Sequence, residues 1–231
     1  MLTVRQLFDY ETFTYTYLLS CKSAQQAVLI DPVNTQVKRD LQLLKDLNLT
    51  LTHVLDTHMH ADHVTGAGDL RAATGARYGI SAAAHVTCAD LQLQEGDTIQ
   101  IGAYLLTILT TPGHTNGCVT YYSAPYAFTG DTLFIRGCGR TDFQEGSATT
   151  LYESITQKLY TLPDDTVVYP GHNYNGLPYS TIAEEKQHNP RLFAGQTKEH
   201  FVETMNKLTL APPKLLDKAL PLNKKCGLTN I

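Results

Sequence analysis

The sequence predicts a mixed α/β fold, two packed sheets covered on both outer faces by helices. Three observations carry this. Apolar runs of strand length, bounded by turn signals, fill the opening third and dominate from Arg77 to Phe128. Stretches with three- and four-residue apolar spacing interrupt them. Their order, helix, strands, strands, helix, suits two sheets whose exposed faces each need a helical layer. In chain order, strands are expected at Val4 to Phe8, Thr14 to Ser20 and Ala27 to Ile30, the last ending in Asp31-Pro32. Val37, Leu41, Leu44 and Leu47 predict a helix over about Thr35 to Leu47. Strand Leu51 to Asp56 follows, then a helix from Gly68 to Thr74 that Gly75 stops. A helix over Thr149 to Leu159, a strand over Thr166 to Tyr169 and helices near Thr181 to His188 and Lys198 to Lys207 close the pattern. From Ala211 the prolines at 212 and 213 predict an irregular tail that covers the pocket, joins a dimer contact or lies on the surface.

Bulk properties narrow the class. With 231 residues, 42% hydrophobic and 17% charged, the chain can bury a full core. One domain spanning residues 1–231 is expected, with a short C-terminal extension from about 190. A net charge of −4 and the lack of a Lys/Arg stripe interleaved with aromatics argue against a nucleic-acid partner. No apolar run approaches the roughly 20 residues that span a bilayer, so no membrane is expected. Five cysteines, an odd count with no Cys-x-x-Cys spacing, disfavour a disulfide framework. Reduced thiols suit a bacterial-type cytoplasm, or the mitochondrial matrix for a processed precursor. The first 20 residues, with one Arg and two acids, read as neither signal nor transit peptide.

The functional signal is Thr57-His58-Met59-His60-Ala61-Asp62-His63, directly after a predicted strand. Three imidazoles this close are costly if buried and repel if charged; a divalent metal bound to their neutral nitrogens removes the problem. The competing reading is a solvated His-rich loop. Further ligands should then stand at other strand ends, and three do: His114 after Leu105 to Leu109, Asp131 after Ala127-Phe128-Thr129-Gly130, and His172 after Val167-Val168-Tyr169-Pro170-Gly171. Each alone is an ordinary turn residue; together they make a ligand set. His53, His85, His188 and His200 lack that context and read as surface or core histidines.

His58-x-His60-x-Asp62-His63, His114, Asp131 and His172, in this order and loop context, resemble the metallo-β-lactamase superfamily over roughly residues 1 to 190. The resemblance implies an αββα sandwich of two mixed sheets flanked by helices, with the metal site at one edge. In many members the first His pair with the residue at His114 holds one metal. The positions of Asp62, His63 and His172 hold a second, and that of Asp131 bridges them.

Other residues choose the branch. Gly137-Cys138-Gly139 followed by basic Arg140 is similar to a stretch of glyoxalase II, which hydrolyses glutathione thioesters. The extension Arg140-Thr141-Asp142-Phe143-Gln144, with Tyr169-Pro170-Gly171-His172-Asn173-Tyr174 and Glu184-Glu185-x-x-x-Asn189-Pro190-Arg191, resembles the persulfide dioxygenases instead. Only 59 residues follow His172, few for the helical substrate domain of glyoxalase II. This resemblance implies one Fe(II) per chain on His58, His114 and Asp131. Such a two-His, one-carboxylate face leaves adjacent positions for water, substrate and O2. His60, Asp62, His63 and His172 then orient ligands and water rather than bind a second metal.

The reaction implied is glutathione persulfide plus O2 and water giving sulfite and glutathione, a step of hydrogen sulfide catabolism. It is centred on iron, with no separate protein nucleophile. Glutathione carries two carboxylates, so Arg140 is expected to grip one with parallel hydrogen bonds; an ion pair with Asp142 is the alternative. Tyr174 and Cys138 complete the expected substrate contacts, although Cys138 equally suits packing. Arg191 is expected to brace the fold. The family suggests a homodimer. Competing functions are a two-metal hydrolase of glutathione thioesters and a non-enzymatic metal or sulfur-carrier binding module.

Overall fold

Alternation along single strands builds the interior. In the computed structural model, which describes residues 2–213 and 215–228, strand β2 (Thr14–Cys21) is buried along its whole length. It sends Tyr15, Tyr17, Leu19 and Cys21 into the layer between two sheets and Leu18 to the opposite face. Strand β3 (Gln26–Ile30) repeats this, Val28 and Ile30 inward, Ala27 and Leu29 outward. Both faces of these strands are therefore covered, which explains their continuous apolar character.

The first sheet runs in simple order from β1 (Thr3–Asp9) through β2 and β3 to β4 (Thr50–Leu55), β5 (Arg77–Ser81) and β6 (Leu91–Leu93). Its first two pairings are antiparallel and the rest parallel. The second sheet contains β7 (Thr98–Ile101), β8 (Tyr104–Thr110), β9 (Val119–Ser123), β10 (Tyr126–Gly130), β11 (Val167–Pro170) and β12 (Ser180–Thr181), with β10 and β11 parallel and its other pairings antiparallel. Both sheets are thus mixed, as expected.

Helices α1 (Val37–Asp46) and α2 (Ala67–Thr74) cover the outer face of the first sheet, placing Leu44, Ala67 and Leu70 against Leu29, Val54 and Tyr78. Gly75, at φ 75°, ends α2 in the left-handed conformation and its N–H returns to the Arg71 carbonyl. The second sheet is covered by α3 (Ala148–Gln157), α4 (Ile182–His188) and α5 (Lys198–Asn206), through Leu151, Ile155, Ile182 and Phe201. Ser147, Thr181 and Thr197 cap these three helices with side-chain oxygens.

Two expectations need correction. The tail from Ala211 is not wholly irregular: Leu216–Asn223 forms helix α6 with Pro221 inside it, and buried Ala219 and Asn223 dock it on the sandwich. Tertiary contact outweighs the hydrogen bond that proline removes. Lys214 and residues 229–231 of that tail lie outside the described residues. Nor are all five cysteines reduced: Cys88 and Cys226, separated by 138 residues, form a disulfide, while Cys21, Cys118 and Cys138 are free and buried. Cysteine counting sees only sequence spacing, and this pair meets through the fold.

Among the described residues no helix is long and apolar enough to cross a membrane.

Candidate metal centre

The ends of β4, β8, β10 and β11 deliver the predicted ligands to one edge of the sandwich, where the His loop begins by fixing its own backbone. Thr57 N and Oγ1 donate to the two oxygens of Asp31, at 2.7 and 2.9 Å. Since the Thr57 hydroxyl spends its proton there, it accepts from His58 Nδ1 at 3.0 Å, leaving Nε2 with a free lone pair. His114 Nδ1 donates to the Arg140 carbonyl at 2.7 Å and His172 Nδ1 to the Phe13 carbonyl at 3.0 Å. Carbonyls only accept, so these rings too present Nε2 lone pairs. His60 is turned round: its Nε2 donates to Asp31 Oδ1 at 3.0 Å and its Nδ1 points free. His63 Nδ1 donates to Asp62 Oδ2 at 2.9 Å. Each imidazole is held in one tautomer by its second nitrogen, the way metal-binding histidines are normally oriented.

The donor atoms converge. His58, His114 and Asp131 offer one ligand atom each, all within 4.8 Å of one another. His114 Nε2 stands 3.6 Å and His58 Nε2 4.0 Å from Asp131 Oδ2. His60, Asp62 and His63 form a second such group. His172 Nε2 stands between them, 3.7 Å from Asp131 Oδ1 and 3.6 Å from Asp62 Oδ2. Asp131 Oδ1, His60 Nδ1 and His63 Nε2 are buried with no hydrogen-bond partner. Unpaired buried polar atoms are costly, and their occurrence on residues of both donor groups fits a region built to bind a cation. No other histidine joins such a group among the described residues.

Protonation suits this use. Burial, then the neighbouring imidazoles, pushes His58 and His60 well below the usual histidine range, so both are neutral donors. Burial opposes the Asp62 charge, but His63 and His172 outweigh it and hold its carboxyl well below the ordinary value. In turn Asp62 raises His63, and Asp131 with Asp62 raises His172, both against burial. Beneath the loop, burial lifts Asp31 to about 6 and Asp56 to about 7.

Asp131 is seated by three glycines. A Cβ on Gly139 would collide with the Asp131 carbonyl and approach His114 Cγ at 2.9 Å. One on Gly171 would meet Asp131 Oδ1, and one on Gly130, at φ 50°, would meet Thr57 Oγ1. Gly139→Ala is therefore expected to push His114 and Asp131 apart, lowering metal content per folded chain by about tenfold or more; elemental analysis with circular dichroism checks it.

The motifs after Asp131 are mostly bracing. Gln144 Nε2 donates to the Met59 carbonyl at 2.7 Å, tying this loop to the His loop. Arg140 corrects the expectation of a free carboxylate clamp. Its Nε and Nη2 already hold Asp142 at 2.6 and 2.7 Å, Nη1 donates to the Ala211 carbonyl at 2.6 Å, and the guanidinium lies 4.4 Å over the Phe143 ring. The alternative ion pair is the one formed. Cys138 takes the packing alternative: it lies beside Met205 in the α3–α5 core, where burial pushes its thiol up to about 11. Tyr174 is 68% exposed, its ring parallel to His172 with centroids 6.1 Å apart. Arg191 Nη1 donates to the Cys138 carbonyl, a bracing role as expected.

Sequence reading missed the support beneath the ligands. Asp31, in the left-handed region at φ 51°, receives Thr57 and His60. Its signal was present as a carboxylate at a strand end before proline. Asp56, held by Tyr78 at 2.8 Å and Thr65 at 3.1 Å, looked like a strand residue.

With this geometry, likeness to known proteins becomes informative. The model of the Metallo-beta-lactamase superfamily matches residues 9–172. The mitochondrial persulfide dioxygenase ETHE1 of Bos taurus is 46% identical over 227 residues, 97% of this chain and 89% of that protein. The crystal structure of ETHE1 from Myxococcus xanthus superposes with a TM-score of 0.95 and 51% identity, covering 98% of this chain and all (100%) of that one. A hydroxyacylglutathione hydrolase of Rhodospirillum rubrum is 39% identical over 164 residues, only 69% of this chain and 62% of its own length. The chain belongs to the persulfide dioxygenase branch of the metallo-beta-lactamase superfamily.

Proposed function

We propose that this protein is an iron-dependent persulfide dioxygenase that converts glutathione persulfide, O2 and water to glutathione and sulfite. The observation that carries the reading is near-full-length similarity to persulfide dioxygenases, joined to a two-imidazole, one-carboxylate donor set. His58 Nε2, His114 Nε2 and Asp131 Oδ2 would hold one Fe(II) from one side. When bound, the iron supplies the one-electron chemistry that lets ground-state O2 react with closed-shell sulfur. In the balanced reaction the S–S bond breaks and the terminal sulfur gains three oxygens, two from O2 and one from water.

The chain's own residues position and shield. Asp31 and Thr57 lock the His58 tautomer, the Arg140 carbonyl locks that of His114, and neutral His58 keeps its lone pair available. His172 presents Nε2 to the Asp62 and Asp131 carboxylates, where it can hold a water or a proton. Phe134, edge-on to His172, and Phe13 beside Tyr174 supply apolar surface on the His172 side of the site. We assign Tyr174 to the substrate mouth and Arg140 to shaping it through Asp142 and residues 210–211.

Arg140→Ala frees Asp142 and residues 210–211, so KM for glutathione persulfide is expected to rise about tenfold, the scale at which loss of a supporting partner acts, with metal content unchanged. An unchanged KM removes Arg140 from the mouth. The sandwich and its C-terminal helices are proposed as one domain, and the molecule as a homodimer, which analytical ultracentrifugation tests. The compartment proposed is the cytoplasm, or the mitochondrial matrix in the manner of the bovine protein's name. The disulfide runs against the argument from reduced thiols.

A further inference from the structure

The C-terminal segment reaches the metal loop from behind, and no ligand role accounts for it. Asn223, the last residue of α6, is only 3% exposed. Its Nδ2 donates to the His60 carbonyl at 2.8 Å and the His63 carbonyl at 2.9 Å, and its Oδ1 accepts from Thr65 N at 2.9 Å. One carboxamide therefore satisfies three buried backbone groups of the loop bearing His60, Asp62 and His63, groups that would otherwise be costly orphans.

What keeps Asn223 there is not the helix alone. Eight residues with an internal proline make a weak helix by themselves. Three residues on, Cys226 is bonded to Cys88, which follows β5, and its carbonyl accepts from Gly68 N at 2.9 Å. Gly227, at φ 78°, then passes so close to the Thr65 carbonyl that a Cβ would collide. The segment is thus tied to Thr65 and Gly68, just after the His loop, and to Cys88 beyond β5.

We propose that Asn223 is a positioning residue of the metal centre, kept in place by the Cys88–Cys226 disulfide. The path to the ion is continuous. Asn223 fixes the His60 carbonyl; the His60 ring holds Asp31; Asp31 takes the Thr57 hydroxyl proton; and that hydroxyl orients His58. Without the carboxamide, the loop turn is free to reopen and His58 becomes less firmly oriented. Opening the disulfide weakens the same hold from a distance. A dithiol supplies two electrons and two protons, Cys88 and Cys226 become thiols, and the dithiol leaves as its cyclic disulfide. Cys88 is half-buried, so the bond is approachable from its side.

The proposal rests on His58, His114 and Asp131 holding a metal, but not on the reaction. The test loads the full chain with cobalt(II) as sole metal. It then follows release to a chelator and the visible absorption bands, which report ligand geometry. Asn223→Asp keeps the volume and removes both N–H donors; Asn223→Ala removes the group entirely. Leu106→Ala, in the core between the sheets, provides a fold destabilised elsewhere. Expected are at least tenfold faster release and shifted bands in both Asn223 variants, with neither change in Leu106→Ala. Severalfold faster release is expected after dithiothreitol treatment of wild type and in untreated Cys88→Ser, which dithiothreitol then leaves unaltered. Wild-type rates and bands in Asn223→Asp, or equal changes in Leu106→Ala, overturn the positioning role. Insensitivity of wild type to dithiothreitol overturns the role of the disulfide. A wild type that takes up no cobalt removes the ligand assignment and this proposal with it.

Discussion

Asp131→Ala is expected to lose metal and turnover together. Asp131 is the sole anion among the three proposed ligands, and its Oδ2 faces His114 Nε2 at 3.6 Å and His58 Nε2 at 4.0 Å. His58 and His114 alone are two donors, too few for a divalent ion in competition with water. The fall in turnover should exceed the roughly 10–100-fold that loss of a supporting partner costs. Asp131→Asn separates charge from shape: the amide fills the space left by Gly139 and Gly171, so the fold should persist while metal content still falls. Elemental analysis per folded chain, with oxygen uptake on the same sample, reads both. Full turnover in Asp131→Ala would remove the proposed centre.

Glu185→Ala carries the largest expected cost to stability. The carboxylate has no exposed surface and accepts four hydrogen bonds: from Arg136 N at 2.9 Å, Arg136 Nη1, Ser180 Oγ at 2.5 Å and Asn189 Nδ2 at 2.9 Å. Arg136 sits in the left-handed region at φ 60°, a conformation that persists only when its surroundings enforce it. Its side chain is 36% exposed, so the ion pair itself is screened and contributes little. The cost comes from the buried donors left unpaired, about 3–5 kcal/mol in total. That corresponds to a fall in Tm on the order of 10 °C for a chain of this size. Glu185→Gln keeps an acceptor and should lose less than half as much. Thermal unfolding of the metal-loaded variants measures it, and a Tm within a degree or so of wild type would show that α4 is not what fixes the loop after Asp131.

The same two residues show what could and could not be read from sequence. Ligand chemistry was legible because metal donors at strand ends are both unusual and local: His58, His114, Asp131 and His172 each follow an apolar run and a turn signal. Strand and helix positions were legible where periodicity was long, as in α1, and boundaries moved by only a residue or two. Long-range partners were not. The Glu185 motif showed as a pattern, yet that it holds Arg136 across 49 residues emerges only from the fold. Arg140 could be read either way because Asp142, two residues away, was as good a partner on paper as a substrate carboxylate. The prolines at 212 and 213 pointed to an irregular tail, but burial of Asn223 and the bond to Cys88 hold a helix there despite Pro221.

The central claim is a single iron held by His58, His114 and Asp131 and used for oxygen chemistry on sulfur. Protein purified without oxygen, analysed for metal and then given glutathione persulfide in an oxygen electrode, addresses it directly. One iron per chain, with oxygen consumed and sulfite formed in equal amounts, is the predicted result. Two metals per chain, with hydrolysis of a glutathione thioester and no oxygen uptake, would contradict it.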